Sequence, residues 1–400
     1  MKQHILIIGA GFAGLWSALS AVRLLDRHGR SDVVVSMLAP QPELRIRPRF
    51  YEPDVQRMAA PLLELLDAVG VRFIQGTAVQ VDADGQRVEY RDASGAVEWI
   101  GYDRLVLASG SRLIRPAAIG VVEHAFDVDQ IESAARLERH LQQLADLPES
   151  PARNTVVVAG GGFTGIETAT ELPARLRTIL GDAADIRVIV VDRAEQIGAA
   201  LGDGIRPAIV EASRELGVEW RLGTSVASVD GEGVVLADGE RIEAKTVVWT
   251  VGFRASDLTE QIAAERDHLG RLQVDRYLRV NGHAEIFAAG DVARAATDES
   301  GNYNVMSCQH AIPLGRHAGN NAAADLIGVE PTVYSQPKYV TCLDLGAWGA
   351  VFTEGWERAT KLIGAEAKEL KMQINSQWIY PPVADRAVAL AAADPAIPVA

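Results

Sequence analysis

The sequence predicts an α/β fold in which one unit, a buried strand turning through glycines into a helix, occurs twice. Two stretches carry the prediction. In Thr155 to Leu172, TVVVAGGGFTGIETATEL, the apolar run Val156 to Ala159 enters Gly160, Gly161 and Gly162. Gly165 completes a G-x-G-x-x-G, and Ile166 to Leu172 opens a helix. His4 to Leu15, HILIIGAGFAGL, repeats the pattern with Gly9, Gly11 and Gly14.

Each glycine of such a turn has a steric task. The first permits the tight turn, the second lets the backbone approach a pyrophosphate, and the third lets helix and strand pack closely. The phosphates then sit at a helix N-terminus, where free N–H groups and the dipole favour an anion. Gly9, Gly11 and Gly14 thus form one candidate dinucleotide site, and Gly160, Gly162 and Gly165 a second. The economical chemistry for two dinucleotides is a nicotinamide passing a hydride to a flavin.

Bulk properties narrow the partners. Four hundred residues allow two or three domains. The net charge of −14 argues against nucleic acid and against an anionic membrane surface. The two cysteines, Cys308 and Cys342, give neither a disulfide framework nor a metal-ligand cluster, so no metal is expected and a reducing compartment is. No run is long and apolar enough for a membrane span. Lys2 and the apolar residues after it have the look of a signal peptide, but the glycine spacing explains them as strand, turn and helix.

In chain order, the first unit is a strand at 4–8, a turn, a helix to about Leu25 and a strand from Val33 to Leu38. A ribose-binding acid is expected after that strand. Ala39-Pro40 stands there, and the nearest acid is Glu43. Leu44 to Glu52, LRIRPRFYE, is an Arg-rich loop that is either simply solvated or lies along a cofactor, with Arg45, Arg47 or Arg49 meeting its phosphates. Val71 to Ile100 alternates as an antiparallel hairpin with turns at Asp84-Gly85 and Ser94-Gly95. Tyr102 to Gly110 is a buried strand, Asp129 to about Ala145 has helical periodicity, and Pro148 to Arg153 reads as a linker.

The second unit runs to a strand, Ile186 to Val191, that ends in Asp192, a carboxylate placed to take an adenosine ribose hydroxyl. That acid suits NADH rather than NADPH, although Arg193 follows it. A helix near Arg206 to Leu216, a strand from Glu219 to Leu222 and a hairpin at 230–243 echo the first half, and Val247 to Gly252 returns the chain. Ile286 to Ala293 reaches Gly290 and Asp291, whose carboxylate can accept from flavin ribityl hydroxyls. A helix from Ala311 to Ile327 follows. Beyond Thr332, Val340 to Thr353 has strand character, Ala359 to Leu370 looks helical, and Trp348, Trp356 and Trp378 cluster.

The motifs GAGFAG, LVLASGS, GGGFTGIETATEL, VVWTVGF and FAAGDVA resemble, in content and order, the pyridine nucleotide-disulfide oxidoreductases. The resemblance implies two Rossmann-like dinucleotide-binding domains (glutathione reductase-like) with inserted antiparallel hairpins and a C-terminal α+β interface domain. It implies FAD held over residues 1–115 and 250–328, NAD(P)H held over 116–249, and an interface or capping domain over 329–400. Ser109, Gly110, Gly252 and Gly290 then fall in cofactor-binding motifs.

The absence of any Cys between residues 1 and 307 points away from the disulfide reductases. The chain is most similar to type II NADH dehydrogenase-like proteins through PRFYE, Ser307 to Ala311 and INSQWIYPP. Three departures stand out: Ala39 in place of the ribose acid, no second glutamine after Gln309, and an Ala-rich tail from Asp385 without a basic face.

The resemblance implies that Glu167 lies near nicotinamide and flavin, although alone it would read as a solvated helix residue. Phe163 either covers the flavin until the nicotinamide displaces it or simply packs the turn. Gln309 and His310 are the acceptor-side candidates, with His310 able to deliver a proton. The expectation is a cytoplasmic, at most loosely membrane-associated, FAD-dependent NADH dehydrogenase reducing a quinone-like small acceptor. The clustered tryptophans are either core or part of a C-terminal domain that covers a pocket or pairs two copies of the chain. The alternatives are a ferredoxin reductase of an oxygenase, a flavoenzyme acting on another small organic substrate, and a redox-sensing FAD/NADH-binding protein. The ferredoxin reading needs an electropositive docking face, which the net charge disfavours.

Overall fold

A computed structural model describes residues 2–114 and 119–398. The first unit forms where the sequence places it. Strand β1 (Gln3–Ile8) runs into helix α1 (Phe12–Arg27), and β2 (Val33–Ala39) pairs parallel to β1. Ile5 and Ile7 enter one apolar cluster and Leu6 and Ile8 another, so β1 is covered on both faces. That is why it reads as a continuous apolar run rather than an alternating one.

β3 (Arg72–Asp82) extends the sheet parallel to β2 and continues into an antiparallel meander with β4 (Arg87–Asp92) and β5 (Val97–Gly101). β6 (Arg104–Leu107) returns to pair with β1. The chain then leaves this sheet through the short β7 (Ser111–Leu113). The domain boundary expected at 115 and 116 falls outside the described residues.

The second unit repeats the first. β8 (Thr155–Ala159) turns into helix α2 (Phe163–Leu180), and β9 (Arg187–Val191), β10 (Val218–Arg221) and β11 (Thr246–Trp249) complete a parallel sheet ordered β10-β9-β8-β11. A three-stranded antiparallel sheet over 226–243 is the counterpart of the β3-β4-β5 meander. The chain returns through β12 (Phe253–Ala255), which pairs antiparallel with β7, so both crossings run side by side. β13 (Ile286–Ala288) then joins the first sheet, ordered β13-β6-β1-β2-β3-β4-β5.

Helix α3 (Cys308–Ile327) lies against α1 at close range. A Cβ on Gly315 would sit 2.4 Å from the Ala13 carbonyl oxygen, and one on Gly319 would sit 1.9 Å from that of Ser17. Only glycine permits this approach.

The C-terminal segment holds an antiparallel sheet of β14 (Val340–Asp344), β15 (Ala350–Glu354) and β16 (Ala359–Ile363), then helix α4 (Gly364–Gln373). The helix expected from Ala359 to Leu370 is therefore half strand. Residues 359–363 add an edge to β15, and Gly364, the first residue of α4, makes the break with its φ of +67°. The segment expected as a linker contains one helical turn, Pro151–Asn154, capped by the Ser150 hydroxyl. The tail from Asp385 folds back as helix α5 (Arg386–Ala392), whose Arg386 reaches Asp26 of α1 and the Val69 carbonyl.

Candidate functional site: two glycine turns and a buried acid–base cluster

The two glycine turns have the same construction. Gly9 and Gly160 sit at φ +110° and +112°, which favours glycine. A Cβ on Gly14 would lie 1.9 Å from the Gly9 carbonyl oxygen, and one on Gly165 would lie 1.9 Å from that of Gly160. Gly11 and Gly162 instead face open space, with nothing within 4 Å of an added Cβ. No side chain caps the N-terminus of α1 or α2. Each turn thus offers free backbone donors beside an open glycine, the donor set a pyrophosphate needs.

Around the first turn three elements converge. Gly290, at φ +72°, places its position for a Cβ 2.8 Å from Cβ of Ala13 on α1 and 3.6 Å from Cβ of Ala311 on α3. This puts Asp291 at the carboxyl end of the parallel strands, where α/β sheets bind ligands. Ser109 follows β6 beside Gly9, and its buried hydroxyl has no hydrogen-bond partner. An orphaned donor, a carboxylate and an uncapped helix N-terminus fit a dinucleotide such as FAD. Gly110 and Gly252, at φ +70° and +93°, turn the chain into and out of the two crossings.

The other candidates near this turn are already engaged. Ala39 ends β2 buried, and Glu43 is paired with Arg45 at 2.8 Å, which also reaches Glu132. Arg49 is paired with Glu52 at 2.8 Å and donates to Tyr380. Arg47 turns to Ser111, Asp129 and Asp291.

Asp192 braces the second turn. One carboxylate oxygen accepts from the Gly161 N–H at 2.5 Å and the other from Ala194 N–H at 2.8 Å. Arg193 beside it is exposed.

Glu167 is buried on α2 and faces the C-terminal segment. Its Oε1 accepts from Lys371 Nζ at 2.7 Å and from the Asp344 backbone N–H at 3.0 Å. Lys371 also donates to the Cys342 carbonyl at 2.9 Å and lies 5.7 Å from the Phe163 ring centroid. The Asp344 carboxylate accepts from Lys368 at 2.5 Å, from Tyr51 at 3.1 Å and from the Gly346 N–H at 2.9 Å. Burial pushes the Glu167 carboxyl up to about 7 against the pull of Lys371. Burial and the nearby Glu167 and Asp344 charges hold the Tyr51 phenol well above its ordinary value. Lys371 is buried, which alone would lower it, but its attraction to Glu167 wins and raises it.

Lys371, Lys368, Asp344, Tyr51 and Asp129 were not singled out from the sequence. Lys368 and Lys371 stand three apart on α4, a spacing that places them on one face. Nothing local marks Asp344.

His310, the other acceptor-side candidate beside Gln309, lies in the first turn of α3. It is fully buried near the rings of Tyr339 and Trp356, its Nδ1 is 3.1 Å from Ser307 Oγ, and its Nε2 has no partner. Burial, with the Arg271 charge, drops it to about 4. At that value the ring is the neutral imidazole, with a single N–H, at neutral pH. The Gln309 backbone carbonyl accepts from Gln336 at 3.3 Å. Among the described residues no cluster of His, Cys, Asp and Glu has a metal-binding arrangement, and no helix is long and apolar enough to cross a membrane.

Comparison with known proteins adds four findings. The family model for pyridine nucleotide-disulphide oxidoreductases matches residues 3–315. An NADH dehydrogenase-like protein of Mycobacterium tuberculosis is 48% identical over 401 residues, covering 98% of each chain. A demethylphylloquinone reductase of Synechocystis is 28% identical over 88% of this chain and 87% of its own. The fold matches the solved structure of NDH2 from Plasmodium falciparum in complex with NADH at a TM-score of 0.77, with 14% identity, over 95% of this chain and 96% of that one.

Proposed function

The chain belongs to the pyridine nucleotide-disulphide oxidoreductase family, and from that premise we propose that it is an FAD-dependent NADH dehydrogenase passing electrons to a quinone-like small molecule. The observation that carries the reading is the duplicated turn, with Gly11 and Gly162 open beside two uncapped helices. The first turn, with Ser109 and Asp291, holds FAD, and the second, with Asp192, holds NADH. When bound, FAD supplies the redox chemistry, taking a hydride from NADH and giving up two electrons to the acceptor.

The chain's own residues handle the proton. Reducing a quinone with NADH consumes one proton for each NAD⁺ and quinol formed. A group that delivers it must hold it near neutral pH and release it to a buried site. Glu167 fits, because burial places its carboxyl at about 7 and Lys371 steadies the anion left behind. Asp344 fixes the carboxyl in place through its backbone N–H and ties the cluster to the partly exposed Lys368.

Both cysteines are free, and burial pushes each thiol up to about 11. That disfavours the thiolate a disulfide reductase needs.

The test is anaerobic stopped-flow of the FAD-loaded protein with NADH, followed by steady-state turnover with a soluble quinone. Rapid bleaching of the flavin and turnover that saturates in both substrates are expected. Fast flavin reduction with no turnover on any quinone would replace the enzyme reading with a sensor.

A further inference from the structure

The two crossings between the dinucleotide units meet at a single guanidinium. β7 and β12 pair antiparallel, with Ser111 opposite Ala255 and Leu113 opposite Phe253. Arg47 enters from the short turn Arg47–Arg49 in the first unit and touches both strands. Its Nη1 donates to Ser111 Oγ at 2.8 Å and lies 3.7 Å from Asp291 Oδ2. Its Nη2 pairs with Asp129, and its plane lies over the Phe253 ring, 4.8 Å from the centroid. The Ser111 hydroxyl donates onward to Asp291 at 2.5 Å.

The far end of the contact is equally fixed. The Asp129 side chain is 6% exposed. Its second oxygen accepts from the Leu113 N–H and from the Gln130 side chain, each at 3.0 Å. The Asp129 N–H in turn donates to Asp127 at 3.1 Å. One cation therefore stands between Asp129, beyond the first crossing, and Asp291, on the flavin side. A tie between domains would need only Asp129. Contact with Asp291 as well joins the crossings to the acid that faces the cofactor. Only a planar fork can serve both partners while stacking on a ring.

Resting on the flavin assignment above, we propose that Arg47 is a positioning residue that ties Asp291 to the crossing strands. It thereby fixes the alignment of the two dinucleotide sites and the charge balance at the flavin. Hydride transfer is sensitive to such alignment, because a misplacement near 1 Å costs on the order of a hundredfold in rate. Without the guanidinium, Asp291 and Asp129 keep their hydrogen bonds from Ser111, Leu113 and Gln130 but lose the cation between them, and the net negative charge added there disfavours the reduced flavin.

The experiment compares Arg47→Gln, Arg47→Lys and Asp129→Asn as FAD-loaded proteins. FAD dissociation constants, flavin potential and the NADH dependence of anaerobic flavin reduction are measured. For Arg47→Gln the limiting reduction rate should fall at least tenfold while half-saturation by NADH moves less than threefold. Its reduced-to-oxidised flavin ratio should fall about tenfold at fixed potential, roughly 30 mV. Arg47→Lys should restore the potential, since the charge returns, but only part of the rate, since the fork does not. Asp129→Asn should slow reduction without lowering the potential, and it carries the test if Arg47→Gln does not fold. Wild-type rate and potential in Arg47→Gln would overturn the inference. So would a defect confined to FAD content, with normal kinetics in the loaded fraction. Wild-type protein that takes up no FAD would instead sink the proposed function itself.

Discussion

Replacing Lys371 by Met keeps the apolar stem and removes the charge beside Glu167. The pair is 2.7 Å apart, with side chains 7% and 5% exposed, so solvent screens it little. Removing one partner of a buried ion pair costs about 3–5 kcal/mol if the other stays charged. At about 1.4 kcal/mol per pH unit, that equals about 2–4 units of carboxyl titration. Glu167 already titrates at about 7, so in the variant it takes up a proton and titrates at about 9 or above. The sign follows from linkage. A carboxyl raised from its ordinary 4.5 to about 7 in the folded state favours folding most at low pH. That contribution is lost as pH climbs from 4.5 to 7, then levels off. In Lys371→Met the loss continues past 7. Wild-type and variant stabilities should therefore run parallel to about pH 7 and diverge by about 1.4 kcal/mol per unit above it. Lys371 itself stays charged throughout this window. Urea unfolding at half-unit steps, paired with the infrared band of protonated carboxyls, reads the effect. Parallel curves to pH 9, or no carboxyl band in the variant at pH 8, would refute the account of the pair.

Two further outcomes follow from the turns. Gly14→Ala and Gly165→Ala each place a Cβ 1.9 Å from a backbone oxygen, so the first should lose bound FAD and the second should keep it while the KM for NADH rises at least tenfold. Flavin absorbance and steady-state kinetics separate them, and retention of FAD by Gly14→Ala would contradict the assignment of the first turn. Asp192 should favour NADH over NADPH by roughly 2–3 kcal/mol, or about thirty- to a hundredfold in kcat/KM, because NADPH loses a hydrogen bond and brings its 2′-phosphate against a like charge. Asp192→Ala should shrink that ratio and also weaken NADH, because the side chain braces Gly161; equal use of both donors by the wild type would show that Arg193 governs the pocket.

By itself, the sequence determined the two strand–turn–helix units. The reason is local. Glycine spacing, buried strand runs and strand-end acids act over a few residues, and no tertiary partner is needed to read them. Gly9 and Gly160 adopt the positive φ that their motifs require, and Asp291 stands at the strand ends beside α1. Strand and helix were harder to tell apart at Ala359 to Leu370. There a five-residue edge strand runs directly into a helix that begins at Gly364, and pairing with β15 decided between them.

What only the tertiary structure decided is which charged groups meet. Glu167 and Lys371 are 204 residues apart, and Tyr51 and Asp344 are 293 apart. The sequence reads Arg47 as a phosphate contact or a solvated loop residue, and only folding shows that Asp129 and Asp291 lie within its reach. His310 reads in the sequence only as a titratable ring, and burial, which only packing creates, lowers it to about 4. Residue type fixes an ordinary pKa and a hydrogen-bonding capacity. Burial and distance set the working value of each, and both are created when three remote segments pack onto α2.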